Sequence, residues 1–181
     1  MLRLEMEHRS LTMTNEVSEL IAALDLKPHP EGGYYRETYR SSKVVGQPVR
    51  ALSTAIYYLL VPDTFSELHR LTADEIFHFY LGDTVEMLQL FEDGASKVVK
   101  LGQNLAAGEQ LQVVLPAGVW FGSRLVAGGS FALMGTTVAP GFDFADYERG
   151  SRAELIAQYS QSAESAELTT ITEMITALTR G

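Results

Sequence analysis

Short apolar runs alternate with turn-forming residues along the middle of the chain. From Gly33 to about Pro140 these runs are rich in β-branched and aromatic residues, which favour strands. Turn formers such as Gly82-Asp83 and Asp93-Gly94 separate them. The runs are YYRETYR, ALSTAIYYLLV, FSELHRL, EIFHFYL, TVEMLQLF, SKVVKL, LQVVLP, WFGSRLV and SFALMGTTV. Nine strands without intervening helices predict an antiparallel all-β sandwich or barrel.

Both ends of the chain show helical spacing instead. Apolar residues between Val17 and Leu24 predict a short helix, capped by Thr14 or Asn15 and ended by Pro28. A second helical stretch follows a cap at Ser151 and continues to the C-terminus, and we expect it to pack on the barrel or on a second subunit. The pattern divides the chain into a flexible arm (1–14), one domain (15–160) and a C-terminal helical extension (161–181).

Composition excludes several classes of function. Lysine and arginine total 14 against 23 aspartates and glutamates, and a net charge of −9 repels nucleic acid. Without cysteine there is no disulfide framework, thiolate zinc site or cysteine nucleophile. No apolar run has the roughly 18 residues of a membrane span, and no signal-peptide pattern opens the sequence. We therefore expect a cytoplasmic protein without nucleic-acid or membrane partners.

Histidines and carboxylates concentrate between Phe65 and Gly82. Strand alternation sends Glu75 and Phe77 to one face and His78 to the other, so we expect His78 on the outer face. His69 and Glu75 flank a turn-like segment, and a hairpin would bring them together on the inner face. Such a pair can act as a general base with its orienting carboxylate, hold a divalent metal, or simply satisfy each other in the core.

Four segments carry a family resemblance. His69, Glu75 and then Gly82 resemble the latter half of the first cupin motif, G(x)5HxH(x)3-4E(x)6G, and Gly108 with Pro116-x-Gly118 resembles the second, G(x)5-7PxG(x)2H(x)3N. The segments similar to the DUF985 group of cupins are PHPEGGYYRETYRS, HRLTADEIFHFYLGD, QVVLPAGVWF and VAPGFDF. The resemblance spans about residues 15–160 and implies an antiparallel double-stranded β-helix, the cupin jelly-roll barrel.

The departures from the motifs bear on mechanism. Leu71 and Phe121 stand where the cupin pattern has its other histidines. Of the usual metal ligands only His69 and Glu75 remain at motif positions, so we expect no tight metal site and no cofactor.

Further residues are candidates for ligand contacts. Arg36 can anchor an anion, Phe77 and Trp120 offer ring faces, and Gln112 offers an amide. The alternatives are a core role for Trp120 and a surface role for Gln112. A rigid, then flexible turn is enough to explain Pro28–Gly33.

The resemblance to sugar-epimerase cupins implies a metal-independent sugar or nucleotide-sugar isomerase or epimerase, with His69 and Glu75 as the catalytic pair. The alternatives are a non-catalytic ligand-binding cupin and a metal-dependent cupin with irregular ligands. As partners we expect a small molecule, such as a carbohydrate or nucleotide-sugar, and a second copy of the chain in a homodimer.

Overall fold

The computed structural model describes residues 15–159 and 165–180. Antiparallel sheets of six and five strands, together with a separate two-stranded ribbon, confirm the predicted all-β class. The strands are β1 (Lys27–Pro28), β2 (Tyr34–Arg40), β3 (Val44–Val45), β4 (Arg50–Ala51), β5 (Thr54–Leu60), β6 (Phe65–Leu71), β7 (Asp74–Gly82), β8 (Val85–Leu90), β9 (Ser96–Leu101), β10 (Gln112–Leu115), β11 (Trp120–Leu125), β12 (Ala132–Ala139) and β13 (Tyr147–Arg149). The helices are α1 (15–23), α2 (Arg152–Tyr159) and α3 (Ser165–Ala177).

All nine predicted strands are confirmed, and β2, β6 and β9 match their runs residue for residue. Glycines such as Gly82 and Gly94, with φ of 104° and 88°, adopt the left-handed turns that end these runs. The strands that the pattern does not predict are β1, β3, β4 and β13. Each has only two or three residues, which is too short for alternation to show.

Successive strands cross between the two sheets. The six-stranded sheet has the order β1-β2-β5-β12-β7-β10, and the five-stranded sheet has the order β13-β6-β11-β8-β9. Strands β5 and β7 therefore lie in one sheet and β6 and β8 in the other. Inward residues such as Phe77, Met87, Phe121 and Met134 fill most of the space between the sheets and form the main core.

The terminal helices cover this chain's own sheets. Helices α2 and α3 pack against Leu68, Leu88 and Trp120 on the outer face of the five-stranded sheet. Helix α1 packs beside Leu59 and Phe131 on the other sheet. Burial of one leucine contributes roughly 1.5–3 kcal/mol, so the packing of these helices on the sheets stabilises the fold substantially. Among the described residues, no helix is both long and apolar enough to cross a membrane.

Two sequence predictions concern the ends of these helices. Helix α2 begins directly after Ser151, as the predicted cap requires. Thr14 and the predicted flexible arm (1–14) lie outside the described residues.

Candidate functional site

A cavity of about 350 Å³ lies between the two sheets, which is the size of a small-molecule site. Strands β2, β5, β6, β7 and β12 form its walls, together with the loop 29–33 and the segment 142–144. Its wall includes the buried side chains of Glu31, His69 and Glu75 and the partly buried side chain of His29. The cavity wall therefore combines titratable and apolar side chains.

The predicted pair meets in this cavity, but by a different route. Glu75 and Phe77 face inward and half-buried His78 faces outward, which confirms the predicted alternation of β7. The predicted hairpin is wrong, because β6 and β7 belong to different sheets. The chain crosses the sandwich between Leu71 and Asp74, so His69 and Glu75 face the cavity from opposite sheets.

One backbone contact sets the tautomer of His69. Its Nδ1 lies 2.7 Å from the carbonyl oxygen of Glu67. A carbonyl oxygen only accepts, so Nδ1 carries the proton and Nε2 keeps a free lone pair. The ring packs against Phe121 at 4.2 Å and Tyr147 at 5.0 Å between centroids. Burial lowers the pKa of His69, although the charge of Glu75 opposes the shift. The imidazole is therefore a neutral base held in a fixed orientation.

Glu31 is a site residue that the sequence analysis missed. One of its carboxylate oxygens, Oε2, lies 3.4 Å from His69 Nδ1 and 3.4 Å from Ser66 Oγ. Burial raises the pKa of Glu31 to about 8. At neutral pH this carboxyl group is mostly protonated.

His29 is the second missed residue. Its Nδ1 accepts the backbone N–H of Glu31 at 3.2 Å, so Nε2 carries the proton of the neutral ring. Burial, and then the charge of His69, lower its pKa to about 4. A histidine and a glutamate set between prolines and glycines in Pro28–Gly33 were the available signal, and the turn interpretation passed over it.

Two glycines fix the loop that carries these residues. Gly32 has a φ of +121° and Gly33 a φ of +71°, which side-chain-bearing residues rarely adopt. A Cβ at Gly32 would overlap the Phe65 carbonyl oxygen, so the loop lies directly against β6. Tyr58 donates a hydrogen bond of 2.9 Å to the Gly32 carbonyl from β5. The loop thus holds His29 and Glu31 against both sheets.

Glu75 completes the group of buried acids. Burial raises its pKa to about 7, opposed by His69 and supported by the charge of Glu31. The cavity thus combines neutral imidazoles with carboxyl groups that hold their protons near neutral pH. Such a pairing provides a general base and a general acid in one place.

The C-terminal segment is hydrogen-bonded to β6. The Leu178 carbonyl accepts the Leu68 N–H at 2.7 Å, and the Arg180 N–H donates to the buried Glu67 carboxylate at 3.1 Å. Arg149 also donates to this carboxylate, at 2.6 Å. Arg180 Nη1 donates to the Pro30 carbonyl at 3.1 Å, which connects the C-terminus to the site loop.

Of the other predicted ligand residues, one lines the cavity and three lie outside it. Phe77 lines the cavity with His69 and Glu75. Gln112 is exposed on the outer face, where its Nε2 lies 3.1 Å from His78 Nδ1. Trp120 is buried under α2 and α3 with the Arg70 guanidinium 4.5 Å from its ring centroid. The Arg36 guanidinium lies 5.6 Å from the Tyr57 ring centroid, outside the cavity wall.

This outcome has a physical reason. The expected inward placement holds for neither Gln112 nor Trp120. Gln112 shares the exposed face of β10 with Val114, while Val113 and Leu115 point inward. Trp120 is buried because helices cover the outer face of its sheet. An apolar residue such as Trp120 therefore does not reveal which face is the inside.

The residues present do not form the usual cupin metal centre. In the described ranges 15–159 and 165–180, no group of three or more histidine, aspartate or glutamate side chains is arranged to hold a metal ion. The Phe121 ring packs against His69, at the position where the second motif has a histidine. Leu71, at the other motif position, is buried. An aromatic ring and an aliphatic chain supply no metal ligand.

Comparison with known families agrees with this fold. Residues 18–149 match the family described as Cupin superfamily (DUF985). The chain belongs to this family. It is 34% identical over 150 residues to an uncharacterised protein of Saccharomyces cerevisiae, and the match covers 74% of each chain.

Solved structures give the same picture. A hypothetical protein from Leishmania major has a TM-score of 0.80 and 31% identity, covering 91% of this cupin and 98% of that chain. A Shewanella oneidensis protein has a TM-score of 0.78 and 37% identity, with coverages of 90% and 96%. Oxalate decarboxylase of Bacillus subtilis has a TM-score of 0.51 and 16% identity, with coverages of 83% and 36%, and shares the fold alone.

Proposed function

We propose that this cupin binds a carbohydrate in the cavity and catalyses a metal-independent isomerisation or epimerisation. One observation carries the proposal: the bare Nε2 of His69 shares a cavity with Glu31 and Glu75, whose carboxyl groups keep their protons near neutral pH. Enzymes that move protons at carbon use this combination of a neutral base and a protonated acid.

The chemistry is a proton transfer next to a carbonyl group. His69 Nε2 takes the proton from the carbon, and the electron pair of the broken C–H bond moves into a carbon–carbon double bond. Protonated Glu75 gives its proton to the carbonyl oxygen, so an enediol forms. The imidazolium then returns a proton to carbon while the Glu75 carboxylate takes a hydroxyl proton of the enediol, so that a carbonyl group forms again. Protonation of the former carbonyl carbon, with loss of the proton from the other hydroxyl, gives the isomer. Protonation of the original carbon on its other face, with loss of the proton that Glu75 first donated, gives the epimer. Ionised Glu75 stabilises the imidazolium that forms in the first step.

The rest of the cavity wall suits a ring with hydroxyl groups. Aromatic side chains present flat apolar surfaces, and the hydroxyls of Thr54, Ser66 and Thr136 provide donors and acceptors. Polar groups of this kind fix the orientation of a ligand in small-molecule sites, while the aromatic side chains contact its apolar face.

Incorporation of solvent deuterium tests the proposal. Keto sugars and nucleotide-linked keto sugars are incubated in deuterated buffer, and the carbon next to the carbonyl is followed by NMR and mass spectrometry. We expect exchange with the wild type and a loss of about a hundredfold or more with His69→Gln. His78→Gln is the matched control, because His78 lies on the outer face of the sheet. Circular dichroism checks that both variants fold.

The contrary outcomes are equally specific. Saturable binding without deuterium exchange would show a non-catalytic ligand-binding cupin. Exchange that survives in His69→Gln would remove His69 from the catalytic role.

A further inference from the structure

The charges at the mouth of the cavity bear on which sugars can enter. The carboxylates of Glu37 and Asp143 lie there, and Arg40 is the one lysine or arginine among the described residues of the cavity wall. A β-bulge between Glu37 and Tyr39 shifts the alternation of β2, so that Arg40 joins Glu37 on the cavity side.

Arg40 already makes three hydrogen bonds within the chain. Its Nε donates to Glu37 Oε1 at 2.9 Å and its Nη2 to Glu37 Oε2 at 2.7 Å, which is a bidentate pair. The remaining terminal nitrogen, Nη1, donates to the Phe142 carbonyl at 3.2 Å and so ties down the segment 142–144. The Nε–Nη2 edge of the guanidinium, which could bind a phosphate in a bidentate manner, is therefore occupied by a carboxylate of the same strand.

The interior offers an anion no compensation. Glu31 and Glu75 add two more carboxyl groups, and burial keeps His29 and His69 in their neutral forms. An anion inside the cavity would lose its hydration without gaining an ion-pair partner, so its binding is disfavoured. Hydroxyl groups meet no such penalty, because His69 Nε2 and the wall hydroxyls can accept and donate.

We propose that the cavity selects uncharged, unphosphorylated sugars, and that the Glu37–Arg40 pair at its mouth is the specificity determinant that rejects phosphate. The choice of sugars as the ligand class rests on the proposed function. The charge selectivity goes beyond it, since it excludes the nucleotide-linked and phosphorylated members of that class.

Binding of a matched pair of sugars tests the selectivity. Glucose and glucose 6-phosphate both form six-membered rings and differ only in the phosphate on O6, and ligand-observed NMR titration at low salt gives both affinities. We expect glucose 6-phosphate to bind at least about tenfold more weakly. Equal or tighter binding of the phosphate overturns the inference and leaves the proposed proton transfer standing. If no sugar of a wider panel binds, the sugar class itself is overturned.

Two variants locate the determinant. Glu37→Gln releases Arg40, so we expect the preference against glucose 6-phosphate to shrink severalfold. Glu148→Gln breaks a pair of the same geometry, with Arg70 Nε and Nη2 at 2.7 and 2.9 Å from Glu148, but on a surface away from the cavity. This control should keep the full preference. An unchanged preference in Glu37→Gln removes the pair from the specificity role.

Discussion

At the scale of single residues, the site depends on two acids that have been taken out of water, and burial outweighs the charge of Arg180 that acts on Glu31. Glu31 and Glu75 are both 7% exposed, and burial is the main reason that their pKa values rise to about 8 and about 7. The same burial lowers the pKa values of His29 and His69. Proton binding by the folded chain therefore differs from that of the unfolded chain over a wide pH range.

We expect the free energy of unfolding to fall as pH rises from 6.5 to 8. In this window the folded chain keeps protons on Glu31 and Glu75 that the unfolded chain, with an ordinary glutamate pKa of 4.5, has lost. Below pH 6.5 the two histidines make the free energy of unfolding rise with pH. The reason is that the unfolded chain then binds protons that the imidazole rings of the folded chain, with their lowered pKa values, do not bind. The decline should be about 2 kcal/mol, measured by urea unfolding at both ends of the window.

Glu31→Gln should remove most of this decline, since an amide does not titrate in the window. Exposed Glu148 offers the matched control, and Glu148→Gln should keep the wild-type slope. A Glu31→Gln protein with the full decline would show that the acid responsible lies elsewhere.

At the scale of elements, the site loop depends on its contact with the two sheets. Gly32 lies against the Phe65 carbonyl of β6, and its carbonyl accepts the Tyr58 hydroxyl of β5. We expect Gly32→Ala to destabilise the fold by about 3 kcal/mol, because the new Cβ requires the loop to move. Thermal unfolding measures the loss. Gly118, with similar positive φ but open space around its Cβ position, gives the control, and Gly118→Ala should cost less.

Strands β6 and β13 are joined by an ion pair whose carboxylate is buried. The side chain of Glu67 is 4% exposed and accepts Arg149 Nε at 2.6 Å. Arg149 is half exposed and Arg180 still contacts Glu67, so we expect Arg149→Ala to cost about 1–2 kcal/mol in urea unfolding. Glu148→Ala, at the neighbouring residue of β13, breaks an exposed pair and should cost under about 1 kcal/mol. Equal losses would mean that Glu67 does not need its arginine.

At the scale of the whole molecule, the homodimer stays a prediction, and one argument for it is gone. The apolar faces of the described helices pack on the chain's own sheets, so they do not require a second subunit. What remains is the outer face of the six-stranded sheet, where Tyr80 is 44% and Val114 is 53% exposed. Sedimentation equilibrium should give twice the chain mass of 19.9 kDa. A single species at the chain mass would contradict the dimer.

The sequence by itself determined the strands and much of the motif chemistry. Alternation between neighbouring residues is a local property, so it correctly placed nine strands, Glu75 and Phe77 inward, and His78 outward. Motif order was enough to assign the chain to the cupins and to show that Leu71 and Phe121 replace histidines.

Only the tertiary structure decided which residues share the cavity. Sequence neighbours β6 and β7 lie in opposite sheets, and Pro28–Gly33, remote in sequence, brings His29 and Glu31 beside His69. The same holds for Trp120, whose apolar side chain faces helices rather than the cavity. Alternation tells which residues share a face of a strand, but the identity of that face depends on packing between distant segments, and no local pattern encodes it.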